Sequence, residues 1–168
     1  KIAVALPPNN DVDIYANDLS FIAIVNGTGL EGFNVAVGGG MGMTHGQEKT
    51  YPRVADVIGF VPADKVVEVA EKVMLVQRDH GDRIERRHAR LKYTLDDHGV
   101  DAFRGLVEER LGYELEEERP YEFTENGDRY GWSENQDGTF NYTFYVPGGR
   151  ICDNEDCRWR SGFLEIAK

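Results

Sequence analysis

Residues 20–46 read SFIAIVNGTGLEGFNVAVGGGMGMTHG. Ser20 to Asn26 and Gly29 to Val37 are runs rich in β-branched and aromatic residues, and Asn26-Gly27-Thr28-Gly29 between them supplies residues that tolerate positive φ. The stretch predicts a β-hairpin that delivers the chain into a glycine run, Gly38 to Gly46. Glycines let a backbone come close to a flat or charged ligand, because no Cβ intervenes and successive N–H groups can point one way. The run is not a nucleotide signature: no Gly-Lys-Ser/Thr closes it, and it leads to His45 and Tyr51-Pro52-Arg53 rather than to the helix of a βαβ unit. A plain turn is the competing reading.

Upstream, Ile2 to Leu6 predicts a strand stopped by Pro7-Pro8. Downstream, Tyr51-Pro52 is read as opening a short helical segment through Ile58, closed by Gly59. Asp64 is read as the N-cap of a long helix whose Val66, Val69, Ala70, Val73 and Met74 recur at helical spacing until Gly81 breaks it. Thr94 to Leu111 predicts a second amphipathic helix, with Val100, Phe103, Leu106, Val107 and Leu111 inward and Gly112 as its stop. Glu114 to Glu118 reads as a solvated connection. After Pro120, RYGWSE and TFNYTFYV flank Asn135-Gln136-Asp137-Gly138 as a second hairpin, Gly148-Gly149 turns the chain, and Ser161 to Lys168 forms an apolar helix or strand. No internal repeat or low-complexity linker appears. Residues 1–168 are therefore read as one α+β domain, a mixed or antiparallel sheet with packed helices. The start at Lys1 and the apolar-rich end GFLEIAK read as a piece of something longer at both ends.

A chain of 168 residues with 40% hydrophobic content can bury an ordinary core. No apolar run approaches the roughly 18 to 20 residues needed to span a bilayer, and no signal-peptide pattern opens the chain; a soluble, cytoplasmic protein is expected. A net charge of −11 excludes a general nucleic-acid binder. One stretch opposes that balance: Gln77 to Lys92, QRDHGDRIERRHARLK, carries six basic residues against three acidic ones. Segregation of this kind suggests a fixed anionic target. On a helix, Arg83, Arg86 and Arg90 would line one face, the alternative being a solvated helix laced by local ion pairs. RNA would also want a basic stretch, but with aromatic residues interleaved, and this one contains none. His45, His80, His88 and His98 are scattered, and Cys152-x4-Cys157 has no partner thiols, so no metal ligand is assigned within the chain.

The segments IAVALPPNNDVDIYANDLSFIAI, GFNVAVGGGMGMTHG, KTYPR, DVIGFVP, VAEKV, QRDHGDR, ARLKYTLDDHGVDAF, RPYEFT, GDRYGW and LEIAK occur in this order. In them the chain resembles the haem-protein family of sulfite reductases, whose relatives include assimilatory nitrite reductases. The resemblance implies that family's sirohaem-domain fold and a six-electron reduction of sulfite to sulfide at sirohaem bridged to a [4Fe–4S] cluster. It implies electron delivery by a flavoprotein subunit or ferredoxin, and a place in cytoplasmic sulfur assimilation. Sirohaem carries many carboxylates, and a buried polyanion needs Arg and Lys in fixed geometry. Arg90 then resembles a carboxylate ligand of the macrocycle, with Lys92 the next candidate. Gly38, Gly39 and Gly40 resemble the segment packed close to the cofactor, with Asn34 and Arg53 as neighbours. Lys1 falls at the second lysine of the family's Lys-Phe-Lys motif, where it would hold the sulfite anion. The family's C-x5-C and C-x3-C cluster ligands have no match here, so the resemblance is to a first copy of the domain, with the cluster ligands outside this chain. Nitrite reduction by the same kind of site, or a domain that binds a polyanion or has lost its cofactor, are the alternatives.

Overall fold

The computed structural model describes residues 1–27, 29–146, 149–155 and 157–166. Thr28 of the expected hairpin turn, Gly148 of the expected Gly148-Gly149 turn, and Ala167 and Lys168 of the last element lie outside the described residues. The chain divides into two compact units, 1–127 and 128–168.

The first unit is built on four strands, β1 (Ile2–Ala5), β2 (Leu19–Asn26), β3 (Gly29–Val37) and β4 (Asp56–Pro62), hydrogen-bonded in the order β1-β2-β3-β4. The expected hairpin is β2–β3, in register from Leu19 opposite Val37 to Asn26 opposite Gly29. β1 runs parallel to β2 and the other pairs are antiparallel, so the sheet is mixed, as the sequence suggests. Helices α1 (Val66–His80), α2 (Leu91–His98) and α3 (Val100–Leu111) follow.

Side-chain alternation separates the two faces of the sheet. Leu19 and Phe21 of β2 with Val35 and Val37 of β3 join Val69, Val73 and Val76 of α1, Leu95 of α2, and Phe103 and Val107 of α3 in the main core. Ile22 turns to the other face, where Ala5 and Ile14 meet it beneath Tyr15, Tyr121 and Phe123. On that face Ser20 donates its hydroxyl to the Ile14 carbonyl at 2.6 Å, satisfying a fully buried polar group.

Four expectations are corrected. Residues 56–58 are not helical but begin β4, an edge strand whose Ile58, Phe60 and Val61 are all buried, so no alternation betrays it in the sequence. Asp64 does not cap α1; a 3-10 turn, Ala63–Lys65, precedes the helix, and no side chain caps it. The stretch from Thr94 to Leu111 is broken at Gly99, whose φ of 86° and ψ of 149° leave the helical region. Arg83, Arg86 and Arg90 share no helix: Arg83 lies in the loop after α1, Arg86 in a 3-10 turn, and Arg90 at the N-cap of α2.

The second unit holds the second expected hairpin, β5 (Gly131–Glu134) with β6 (Phe140–Thr143), and a helix α4 (Trp159–Ile166). Trp132 packs on Tyr142, Tyr142 on Phe144, and Phe144 on Phe163 of α4, at ring separations of 4.6 to 5.9 Å. Cys152 and Cys157 are free thiols flanking a turn in which the Asn154 N–H donates to the Cys157 carbonyl at 2.9 Å. Among the described residues no helix is long and apolar enough to cross a membrane.

Candidate anion-binding site

Arg90 is the point on which the site turns. As N-cap of α2 its carbonyl accepts from the N–H of Tyr93 at 3.0 Å, which fixes the residue while its side chain reaches back to the sheet. Nε and Nη2 donate to Asp18 Oδ1 at 3.2 and 2.7 Å, and Nη2 also approaches the Gly39 carbonyl at 3.4 Å. Asp18 immediately precedes β2, and its other oxygen accepts from the Lys1 backbone nitrogen at 2.9 Å. Burial alone would push the Asp18 carboxyl up. The hydrogen bond and the charge of Arg90 work against that rise. One edge of the Arg90 guanidinium is thus locked, while Nη1 has no acceptor among the described residues. The side chain remains 40% exposed.

The glycine run explains how this guanidinium fits. A Cβ on Gly40 would lie 2.6 to 2.8 Å from its atoms, so the absent side chain is the space Arg90 occupies. A Cβ on Gly39 would stand 2.6 Å from the Asn17 carbonyl oxygen and closer still to that of Tyr15. Gly38 has φ +81°, with Leu95 and the Arg53 guanidinium against it. The glycines admit close approach as expected, but what approaches is the chain itself.

Lys92, two residues into α2, is fully buried. Its ammonium donates to the carbonyls of Gly40 at 3.1 Å, Gly42 at 2.9 Å and Tyr51, and lies 4.9 Å from the centre of the Tyr93 ring. The three protons of a lysine ammonium are thereby taken, so the expected carboxylate role does not fit it. Arg53 is likewise committed, through Nε to Asp96 at 2.7 Å, Nη2 to Asp56 at 2.6 Å, and Nη1 to the Gly38 and Val54 carbonyls. Tyr51 donates its hydroxyl to the same Asp96 at 2.8 Å; that bond, with some burial, pushes its phenol up to about 12. Asn34 does not join the group. Its side-chain amide exchanges two hydrogen bonds with the Arg119 backbone, at 2.7 and 2.9 Å, which pins the segment after α3 to β3. Its expected cofactor role is therefore not supported by geometry.

Beside Arg90 a cavity of about 300 Å³ opens between β2 and α1. Lys1, Arg78, Arg83 and Arg90 contribute cations to its wall, and Ile2, Leu19, Val73 and Leu91 make it apolar between them. Arg83 is held by the carbonyls of Gln77 and Arg78 at 3.1 and 3.2 Å, the end of α1, where a cation also meets the negative pole of the helix. Lys1 has an 86% exposed side chain. The structure thus brings Lys1, Arg90 and Gly38 to Gly40 together, with Lys92 and Arg53 behind the glycines. Arg78 and Arg83 belong to the basic stretch that the sequence points at an anionic target; Asp18 was missed, since no local motif ties residue 18 to residue 90.

A profile described as the nitrite and sulphite reductase 4Fe-4S domain matches residues 1–115. The chain is 56% identical over 168 residues to the protein named sulfite reductase [NADPH] hemoprotein beta-component of Anoxybacillus flavithermus, and 52% identical to the protein of that name from Myxococcus xanthus. In both cases the whole chain is covered, but it spans only 29% and 30% of those relatives. Among solved structures, the Mycobacterium tuberculosis NirA protein matches with a TM-score of 0.66 and 32% identity over 77% of this chain and 23% of that one.

Proposed function

The chain belongs to the nitrite and sulphite reductase family, and from that premise we propose that it forms part of a sulfite reductase haemoprotein, contributing one wall of a sirohaem site. The observation that carries the reading is the cavity beside Arg90, cationic at its rim and apolar between, which suits one edge of a flat macrocycle bearing carboxylates. At about 300 Å³ it takes an edge of such a group rather than the whole, so other walls belong to the polypeptide beyond 1–168. Arg90 would offer its free Nη1 edge to a carboxylate while Asp18 fixes the other edge, which spares the ligand the cost of ordering a long side chain. Arg83 would meet a further anionic oxygen, while Arg78 already gives Nε and Nη2 to Asp79 at 2.6 and 3.0 Å.

Bound there, sirohaem coupled to a [4Fe–4S] cluster would supply the electrons for reduction of sulfite to sulfide. The four thiolates of such a cluster are expected outside this chain, since Cys152 and Cys157 are only two. The Lys1 ammonium, exposed and on the cavity wall, would neutralise sulfite oxygens and stand as a proton source beside them. Residues 1–168 then act as a first copy of the reductase domain, without cluster cysteines, in a cytoplasmic enzyme. The NADPH in the relatives' names favours a flavoprotein electron donor over ferredoxin, and their names favour sulfite over nitrite.

The test is the visible spectrum of the full-length protein, wild type against Arg90→Ala. We expect the wild type to carry sirohaem and the variant to lose most of it, since breaking a buried charge pair typically costs on the order of 3 to 5 kcal/mol and a half-exposed one less. A colourless wild type, or full occupancy in Arg90→Ala, would remove the reading.

A further inference from the structure

Lys92 is a charge that the site as described does not use. A lysine ammonium with no exposed surface normally has a carboxylate beside it, because transfer of an unpaired charge from water is costly. Here the acceptors are three backbone carbonyls, Gly40, Gly42 and Tyr51, all from the loop that leaves the glycine run. The loop's other ties lie mostly beyond Met43: Thr50 accepts from the Thr44 N–H at 2.8 Å and donates to the Gln47 carbonyl at 2.9 Å, Arg87 reaches the Gln47 side chain at 2.9 Å, Tyr51 meets Tyr93 and Asp96, and Gly40 and Arg53 exchange a backbone pair at 2.8 and 2.9 Å.

The consequence lies in the geometry of the peptide unit. In a trans peptide the N–H of one residue points opposite to the carbonyl of the residue before it. Both bonds concerned, Gly40–Met41 and Gly42–Met43, are trans. With the Gly40 and Gly42 carbonyls drawn onto Lys92, the N–H groups of Met41 and Met43 are turned away from it. Both residues are exposed, and neither N–H has an acceptor among the described residues. Arg90 stands beside them, its Nη1 lying 3.9 Å from the Cβ position of Gly42.

Resting on the reading of this face as one that receives an anionic macrocycle, we infer that Lys92 is a positioning residue: it holds carbonyls inward so that the Met41 and Met43 N–H groups face outward next to Arg90 as donors to an anionic oxygen of the bound group. Arg90 supplies the charge, and the two amides supply direction.

The experiment uses the full-length protein, titrated with sirohaem and followed by the visible spectrum, together with amide hydrogen exchange of the cofactor-free protein. Lys92→Met, which keeps the volume and removes the charge, should quicken exchange across 40–51 and weaken sirohaem affinity about tenfold, the size of one lost charge-assisted hydrogen bond. Met41→Pro and Met43→Pro leave Lys92 in place and delete N–H groups that bond nothing in this structure. They should weaken sirohaem binding while exchange elsewhere in the loop stays at the wild-type rate. Wild-type affinity in both proline variants would overturn the inference, as would unchanged exchange in Lys92→Met. Should the prolines disturb the loop, Lys92→Met decides alone: faster exchange with unaltered affinity means that Lys92 only packs, and the inference fails. A wild type that takes up no sirohaem defeats the reading of the face, and is told apart because the exchange result does not depend on cofactor.

Discussion

At the scale of single residues, the glycine run separates what a sequence can signal from what it cannot. Three consecutive glycines announce close approach, but not the identity of the approaching group, which here is the Asn17 and Tyr15 carbonyls at Gly39 and a guanidinium at Gly40. The difference is testable. Gly39→Ala drives a methyl into rigid backbone and should cost roughly 1 to 3 kcal/mol, the usual range for overpacking, whereas Gly42→Ala meets only the tip of Arg90 at 3.9 Å and should stay within about 0.5 kcal/mol. Urea unfolding of the two variants measures both. Tyr51 gives a second prediction. Its hydrogen bond to Asp96 raises the phenol to about 12, so the folded chain keeps a proton that the unfolded chain releases near pH 10. The contribution to stability is complete below that pH and fades as pH rises toward 12. Tyr51→Phe should remove a step near pH 12 from the phenolate absorbance titration, leaving the still higher step of the buried Tyr121, which shares a hydrogen bond with Tyr15, in place. If that step persists, Asp96 does not hold the proton. Arg90 was legible in the sequence because charge segregation is visible there; its partner Asp18 was not, since that pairing exists only once β2 and α2 are packed together.

At the scale of elements, legibility follows periodicity. The β2–β3 hairpin is rich in β-branched and aromatic residues and has a turn that names itself, although β2 is as uniformly buried as β4, and α1 has a long apolar repeat; both stand close to where the sequence puts them. β4 was misread because Ile58, Phe60 and Val61 are all buried, and a run without alternation can be strand or helix. The break between α2 and α3 was missed because a single glycine inside a helical pattern is often tolerated. Gly99 has no atom within 4 Å of a Cβ position, so steric crowding is not its reason; its φ of +86° is. Gly99→Ala should therefore destabilise by about 1 to 3 kcal/mol through backbone strain alone. By contrast, the same change at Gly105, inside α3 with equally open space around it, should stabilise by about 0.4 to 1 kcal/mol. Thermal unfolding of the pair reports which applies. Equal effects at the two positions would mean that the helix break is not imposed by residue 99.

At the scale of the whole chain, buried residues are not evenly shared. Among the described residues every buried hydrophobic side chain lies at or before Leu115, within the 1–127 unit. None of the described residues in 128–166 is buried, and Trp132, Phe140 and Tyr145 are 72%, 60% and 67% exposed. The sequence reads this region as a second hairpin rich in aromatic residues, and the hairpin is there, but its aromatic side chains are not enclosed. A two-stranded sheet and one helix of eight residues offer little apolar burial to set against the roughly 1 to 2 kcal/mol of backbone entropy lost per ordered residue. Its two cysteines are free, so no cross-link compensates. The 1–127 unit, with a four-stranded sheet, three helices and a continuous core, has what an independent domain needs. We expect 1–127 expressed alone to unfold in one cooperative thermal transition with dispersed amide resonances. The 128–168 peptide should show neither, and its tryptophan fluorescence should be that of solvated indole at all temperatures. Cooperative melting of that peptide by itself would show that an aromatic stack without buried members suffices to fold it, and the division of stability argued from burial would be wrong.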